Sequence, residues 1–203
     1  MLFFFLLTKY NRGGYDIHVF RKVINNMEMI DILDEKGNKT GEVLSRKEVH
    51  KNGYLHGAVV ATIINENNEI LIQQRSDTKE KYPGKWDLSV AGHISSNEDS
   101  LMTILKETTE ELGLKVKKED FEFITTFKRQ EKFSGTFIEN EIFSFYILKI
   151  PHLKLSDINL QVSEVKNIKF VNIDEFKQMI EKSELAPKGE AHKILINYFK
   201  RMV

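Results

Sequence analysis

Apolar and polar positions along the chain follow two different periods. Residues 57–64, GAVVATII, are β-branched and nearly unbroken in apolar character, which suits a central strand covered on both faces. Residues 65–68 turn the chain, and residues 69–74 return as a second strand. Upstream, residues 29–33 and 40–44 flank the polar stretch 34–38, with Gly37-Asn38 near its tip, a pattern that predicts a β-hairpin. Residues 77–85 are charged, contain Pro83-Gly84 and read as a loop; a short strand follows over 86–91. The period then lengthens. Over 98–112, Leu101, Ile104, Leu105, Thr108 and Leu112 fall on one stripe of a helix. Residues 121–129, 141–150 and 168–171 predict strands, and 173–181 a helix. Pro187 opens a last helix, whose Ala191, Ile194, Leu195, Tyr198 and Phe199 recur at helical spacing and need a surface to pack on. Strands and helices interleave without an internal repeat, which predicts an α/β sandwich on a mixed sheet.

Composition narrows the function. The chain has 203 residues, 41% hydrophobic and 30% charged, enough for one packed domain with a solvated surface. Its formal net charge is zero, so there is no overall basic field, and nucleic acid is not expected as a partner. A small, locally charged ligand fits better. Cysteine is absent, which excludes disulfides, cysteine-based zinc sites and thiol nucleophiles and agrees with a reducing, cytoplasmic setting. The opening MLFFFLL is far shorter than the roughly 20 apolar residues of a bilayer span. It also lacks a basic leader and a small-residue cleavage site, so no membrane association is expected. Residues 1–28 read as an extension, disordered or translated from upstream, with Met27 or Met29 as a natural start. Residues 29–203 read as the domain, its core over about 54–184. Monomer and homodimer both remain open.

The helix over 98–112 carries the chemistry. Ser96 or Asn97 can cap its start, Glu98 and Asp99 suit its positive end, and Gly113 ends it in the left-handed conformation. Glu107, Glu110 and Glu111 then lie at i, i+3 and i+4 on one flank. Like charges at these spacings cost a helix roughly 0.2–0.5 kcal/mol per pair. A solvated face tolerates that cost; a bound cation removes it. Oxygen-only ligands suit Mg²⁺ or Mn²⁺.

The wider pattern decides between these readings. Gly92, five residues, Glu98, seven residues, then Lys106-Glu107-Thr108-Thr109-Glu110-Glu111-Leu112-Gly113-Leu114 closely resembles the Nudix signature. It departs at Lys106, where the family usually has arginine, and at Thr108, where it has an apolar residue. Lysine keeps the charge but loses the planar fork that would hold Glu98 bidentately. The resemblance implies a Nudix-type α/β/α sandwich with an N-terminal hairpin and a C-terminal helix. It implies a metal-dependent hydrolase that cleaves a diphosphate linkage, in a nucleoside diphosphate derivative or related organic pyrophosphate, by water attack at phosphorus. Glu107, Glu110 and Glu111 would hold Mg²⁺ or Mn²⁺. Gly92, Glu98, Lys106 and Gly113 would order the loop and helix, and Glu110 or Glu164 would serve as general base.

Outside this box, residues 29–176 resemble the isopentenyl-diphosphate isomerase branch of the same superfamily. The likeness rests on the early hairpin, His50, His56, Gln74-Arg75, Lys79, Pro83-Gly84-Lys85-Trp86, Ser89-Val90-Ala91-Gly92-His93 and Glu139-Asn140-Glu141. It implies that His50, His56, His93, Glu139 and Glu141 form a second metal site, suited to Mn²⁺ or Zn²⁺, and that Arg75 and Lys79 bind the substrate diphosphate. Two departures point away from isomerisation. The isomerase cysteine falls on Ala91, and Glu107 stands where the isomerases tend to have a basic residue. An isomerase and a non-catalytic Nudix ligand-binding module are the alternatives; the retained carboxylates argue against the second. Trp86, Phe127, Phe133 and Phe137 are candidates for stacking on a base, with the hydrophobic core as their other destination.

Overall fold

The computed structural model describes residues 28–135 and 137–202. In chain order these form β1 (Met29–Leu33), β2 (Lys39–Ser45), α1 (Arg46–Asn52), β3 (His56–Ile64), β4 (Ile70–Arg75), β5 (Trp86–Asp87) and β6 (Val90–His93). They continue with α2 (Ser100–Leu112), β7 (Phe121–Ser134), β8 (Phe137–Lys149), β9 (Val165–Val171), α3 (Ile173–Glu181) and α4 (Gly189–Lys200).

The organising strand is β3, buried at every position. Its side chains alternate between two apolar layers, as a pleated strand requires. Ala58 and Val60 join Phe145, Phe176, Leu195 and Phe199, so α3 and α4 cover that face. Val59, Ala61 and Ile63 join Ile104, Leu112 and Leu148, so α2 covers the other. β3 pairs in parallel with β8 from His56↔Glu141 to Ile64↔Lys149, and antiparallel with β6. β4 joins β3 and β9, both antiparallel. The result is the expected α/β/α sandwich on a mixed sheet.

Several elements differ from the sequence expectation. Helix α1 was not anticipated, although Ser45 and Glu48 spell a capping box. The Ser45 hydroxyl accepts from the Glu48 amide at 3.3 Å, and the Glu48 carboxylate accepts from the Ser45 amide at 3.2 Å. Helix α2 begins at Ser100 with Asp99 as its cap, not at Glu98 with Ser96 or Asn97. Residues 95–98 are instead spent on a turn, with Asn97 at φ +70° and the Glu98 amide donating to the Ser95 carbonyl at 3.0 Å. The buried face of α2 holds Thr103, Ile104, Thr108, Glu111 and Leu112; Leu101 and Leu105 are only half-buried. Thr108 survives burial because its hydroxyl donates to the Ile104 carbonyl at 2.7 Å.

The expected strand over 86–91 is two strands, β5 and β6. Ser89 lies between them and is held by its hydroxyl, which donates to the Leu71 carbonyl and accepts from the Ile63 amide. β7 and β8 extend past the expected 121–129 and 141–150 through polar residues such as Glu131 and Glu139, which still pair across the hairpin. β9 begins at Val165 rather than 168, and α4 at Gly189 rather than Pro187. No helix among the described residues is long and apolar enough to cross a membrane. Of residues 1–28, only Glu28 is among the described residues; the expectation for 1–27 lies outside them.

Candidate active site

A cavity of about 490 Å³ opens beside β6 and α2, between an acidic wall and a basic one. Helix α2 presents Glu107, Glu110 and Glu111 to it, and the turn before β9 adds Glu164. Glu111 is only 6% exposed; the Gln73 side chain donates to its carboxylate at 3.3 Å. Burial, then the charges of Glu107 and Glu164, push the Glu111 carboxyl up to about 8. Burial pushes Glu107 up to about 7 against the pull of Lys106. Two carboxyls that hold protons near neutrality are short of positive charge, and their oxygens suit a hard divalent cation. Gly92 makes room for this arrangement: a Cβ there would meet the Glu107 carboxylate at 2.7 Å.

The residues around the helix serve it from outside. Glu98 does not border the cavity; it accepts from the Thr103 hydroxyl at 3.0 Å and from Lys106 at 3.3 Å. Threonine therefore supplies the second bond that lysine cannot. Gly113 closes α2 at φ +66°.

The basic wall was only half visible in sequence. Lys79 pairs with Glu164. The Arg75 guanidinium donates to the Lys81 carbonyl at 2.9 Å and to Asp87 at 3.4 Å. Asp87 is fully buried; burial opposes its charge, but Lys188 and Arg75 hold its carboxyl below the usual range. Lys188 reaches Asp87 at 3.1 Å because the segment before α4 runs beside β5. There the Trp86 amide donates to the Glu184 carbonyl at 3.1 Å, and the Ala186 amide to the Trp86 carbonyl at 2.7 Å.

A tighter group lies at the end of β3. Potential ligand atoms of His50, His56, His93 and Glu141 fall within 4.8 Å of one another. The Nδ1 atoms of His50 and His56 face the Arg46 and Tyr54 carbonyls at 2.8 and 2.9 Å. Their Nε2 atoms and one Glu141 oxygen are buried without a hydrogen-bond partner. Burial, then the charge of His93, pushes both imidazoles down to about 4, so both are neutral at pH 7. Neutral nitrogens with free lone pairs beside a carboxylate fit a transition-metal ion. His93 lies between Glu28 at 3.2 Å and Glu141 at 3.3 Å, so Glu28, counted with the extension in sequence, belongs to this site.

Glu139, expected among these ligands, is not in the group. It pairs with Lys81 and, at 3.0 Å, with Arg129. Of the expected stacking residues, Phe127 lies flat on Phe143 at 5.1 Å and Phe137 on His50 at 4.5 Å. Phe133 meets Tyr82 edge-on at 5.2 Å, and Trp86 lies under Lys169. None of the four borders the cavity, whose aromatic lining among the described residues is Tyr82 and Phe143.

A mixed sheet between helical layers, with a glycine-ended glutamate helix beside a charged cavity, is a Nudix fold. The chain belongs to the Nudix family, whose NUDIX domain model matches residues 54–191. It is 39% identical over 162 residues to Nudix hydrolase 3 of Arabidopsis thaliana, an alignment covering 78% of this chain and 21% of that longer protein. It is also 29% identical to isopentenyl-diphosphate Delta-isomerase 1 of Photorhabdus laumondii, covering 87% of this chain and 99% of that one, in agreement with an isomerase-like branch. The crystal structure of Deinococcus radiodurans DR0079 shares the fold at a TM-score of 0.65 and 17% identity, covering 82% of this chain and 97% of that one.

Proposed function

We propose that this enzyme hydrolyses a diphosphate linkage, in a nucleoside diphosphate derivative or related organic pyrophosphate, by water attack at phosphorus. The observation that carries this reading is the pair of half-buried Glu107 and buried Glu111, one helical turn apart on the cavity wall, with carboxyls raised to about 7 and 8. With Glu110 they would hold Mg²⁺ or Mn²⁺. Such an ion, when bound, offsets charge on the phosphate oxygens and makes water a better nucleophile. Arg75 and Lys79 orient the diphosphate against that wall. Glu110 or Glu164 takes the water proton; both border the cavity. Gly92 keeps the Glu107 carboxylate in place, and Glu98, Lys106 and Gly113 fix the ends of the helix. His50, His56, His93 and Glu141 would hold Mn²⁺ or Zn²⁺ at the second site. Ala91 borders the cavity where the isomerases carry cysteine, and a methyl group moves no proton. The zero net charge and absent cysteine support a small-molecule partner and a cytoplasmic setting.

The test is turnover of purified protein with Mg²⁺ or Mn²⁺ on nucleoside di- and triphosphates, nucleotide sugars, dinucleotides and isoprenoid diphosphates. We expect phosphate or nucleotide release that EDTA abolishes and that Glu110→Gln and Glu111→Gln reduce by orders of magnitude. Near-wild-type turnover in both variants, or full activity in EDTA, would sink the assignment.

A further inference from the structure

The basic wall holds more positive charge than its buried carboxylates balance. Asp87 is fully buried and answers two cations, Arg75 and Lys188, which are 16% and 11% exposed. Glu139 likewise answers Lys81 and Arg129, which are 13% and 15% exposed; burial lowers the Lys81 ammonium to about 7, so it is only partly charged at neutral pH and gains its full charge when an anion arrives. Arg129 also reaches Glu131, which is not part of the cavity lining. One cation per buried carboxylate would satisfy charge balance. A second one adds like-charge repulsion in a poorly solvated place, and each ordered lysine gives up rotamer freedom. An arriving anion reverses that balance, because charge-assisted bonds to phosphoryl oxygens are among the stronger polar contacts. All four cations border the same cavity as Glu107 and Glu111, and little in its lining offers a stacking surface.

We propose that Arg75–Asp87–Lys188 and Lys81–Glu139–Arg129 form a two-part anion subsite facing the glutamate wall. The substrate is then a compact compound with a further phosphoryl group next to the diphosphate that is cleaved, with Arg75 at the junction of the two. This deepens the hydrolase reading and rests on it for the cleaved bond. Lys188, Lys81 and Arg129 are substrate-binding residues in this assignment, and the segment leading into α4 completes the site from the far end of the chain.

The probe is inorganic polyphosphate, titrated calorimetrically into metal-stripped protein. Tripolyphosphate should bind at least about tenfold more tightly than pyrophosphate, equivalent to roughly 1.4 kcal/mol. Lys188→Gln and Arg129→Gln should each remove most of that gain, and Lys188→Arg should retain it. Lys188 makes no side-chain cap bond to α4, so its replacement leaves the helix start intact, as a melting curve would verify. Equal affinity for the two anions in the wild type, or undiminished tripolyphosphate binding in Lys188→Gln, would overturn the subsite. Glu110→Gln separates the two proposals, since it should abolish turnover without weakening tripolyphosphate binding. Bound tripolyphosphate with no turnover of any panel compound would sink hydrolysis and leave the subsite standing.

Discussion

At Glu111 a carboxylate is almost out of reach of water, and its acidic neighbours make ionisation harder still. Its carboxyl is raised to about 8 in the folded chain. A raised acid favours the folded state's proton, so its cost to stability is absent below the ordinary value of 4.5, grows as pH rises and is complete above about 8. The melting temperature of metal-stripped protein should therefore fall between pH 5 and pH 8.5, and Glu111→Gln should flatten that fall. His192 works in the opposite direction. Burial pushes its imidazole down to about 4 although Asp87 opposes this, with Lys188 and Arg129 also near it. A depressed histidine stabilises fully above its ordinary 6.5 and loses that contribution as pH drops towards 4. His192→Gln should lose less melting temperature than wild type between pH 6.5 and 5; an equal loss would remove His192 from the account.

Two elements tie local sequence to site geometry. Strand β6 passes α2 with Gly92 facing Glu107, and a Cβ there would meet the end of a flexible side chain, 2.7 Å away. Gly92→Ala should therefore fold with little loss of stability but displace the Glu107 carboxylate. We expect at least about a tenfold loss of metal-dependent turnover with an almost unchanged melting curve, equivalent to roughly 1.4 kcal/mol in the barrier. Helix α1 makes the second link. Ser45→Ala removes its capping box and should cost about 1 kcal/mol in denaturant unfolding. Since α1 carries His50, Mn²⁺ affinity at the histidine site should fall with it. This helix was legible as Ser45-x-x-Glu48, yet its short apolar content hid it behind the hairpin. The start of α2 was misplaced for a related reason: Ser96, Asn97 and Asp99 are all good caps, and only the left-handed Asn97 shows that the first two belong to the turn.

Across the whole molecule, legibility follows the distance over which a feature is encoded. Strand β3, the buried helix face and the box glutamates announce themselves through period and spacing within one element. The basic wall does not: Asp87, Lys188 and Arg129 are far apart in sequence and border one cavity because β5 lies beside the segment entering α4 and β7 pairs with β8. Glu139 shows the same limit, since the resemblance to the isomerases placed it with Glu141 whereas two cations from other elements hold it. This wiring also bears on whether the isomerase-like body retains isomerase chemistry. Ala91 borders the cavity, so Ala91→Cys would set a thiol where the resemblance to the isomerases places their cysteine. A thiol alone is insufficient, because proton transfer needs a partner group free to exchange protons and a diphosphate held in register. Here Glu139 is bound by two cations, Glu141 faces the histidines, and Glu107 puts a carboxylate where a basic contact to diphosphate is expected. Ala91→Cys should therefore yield no allylic isomer from isopentenyl diphosphate by product analysis. Appearance of that isomer would mean that one cysteine suffices, and that Glu107 and the cation-bound Glu139 do not separate this chain from its isomerase relatives.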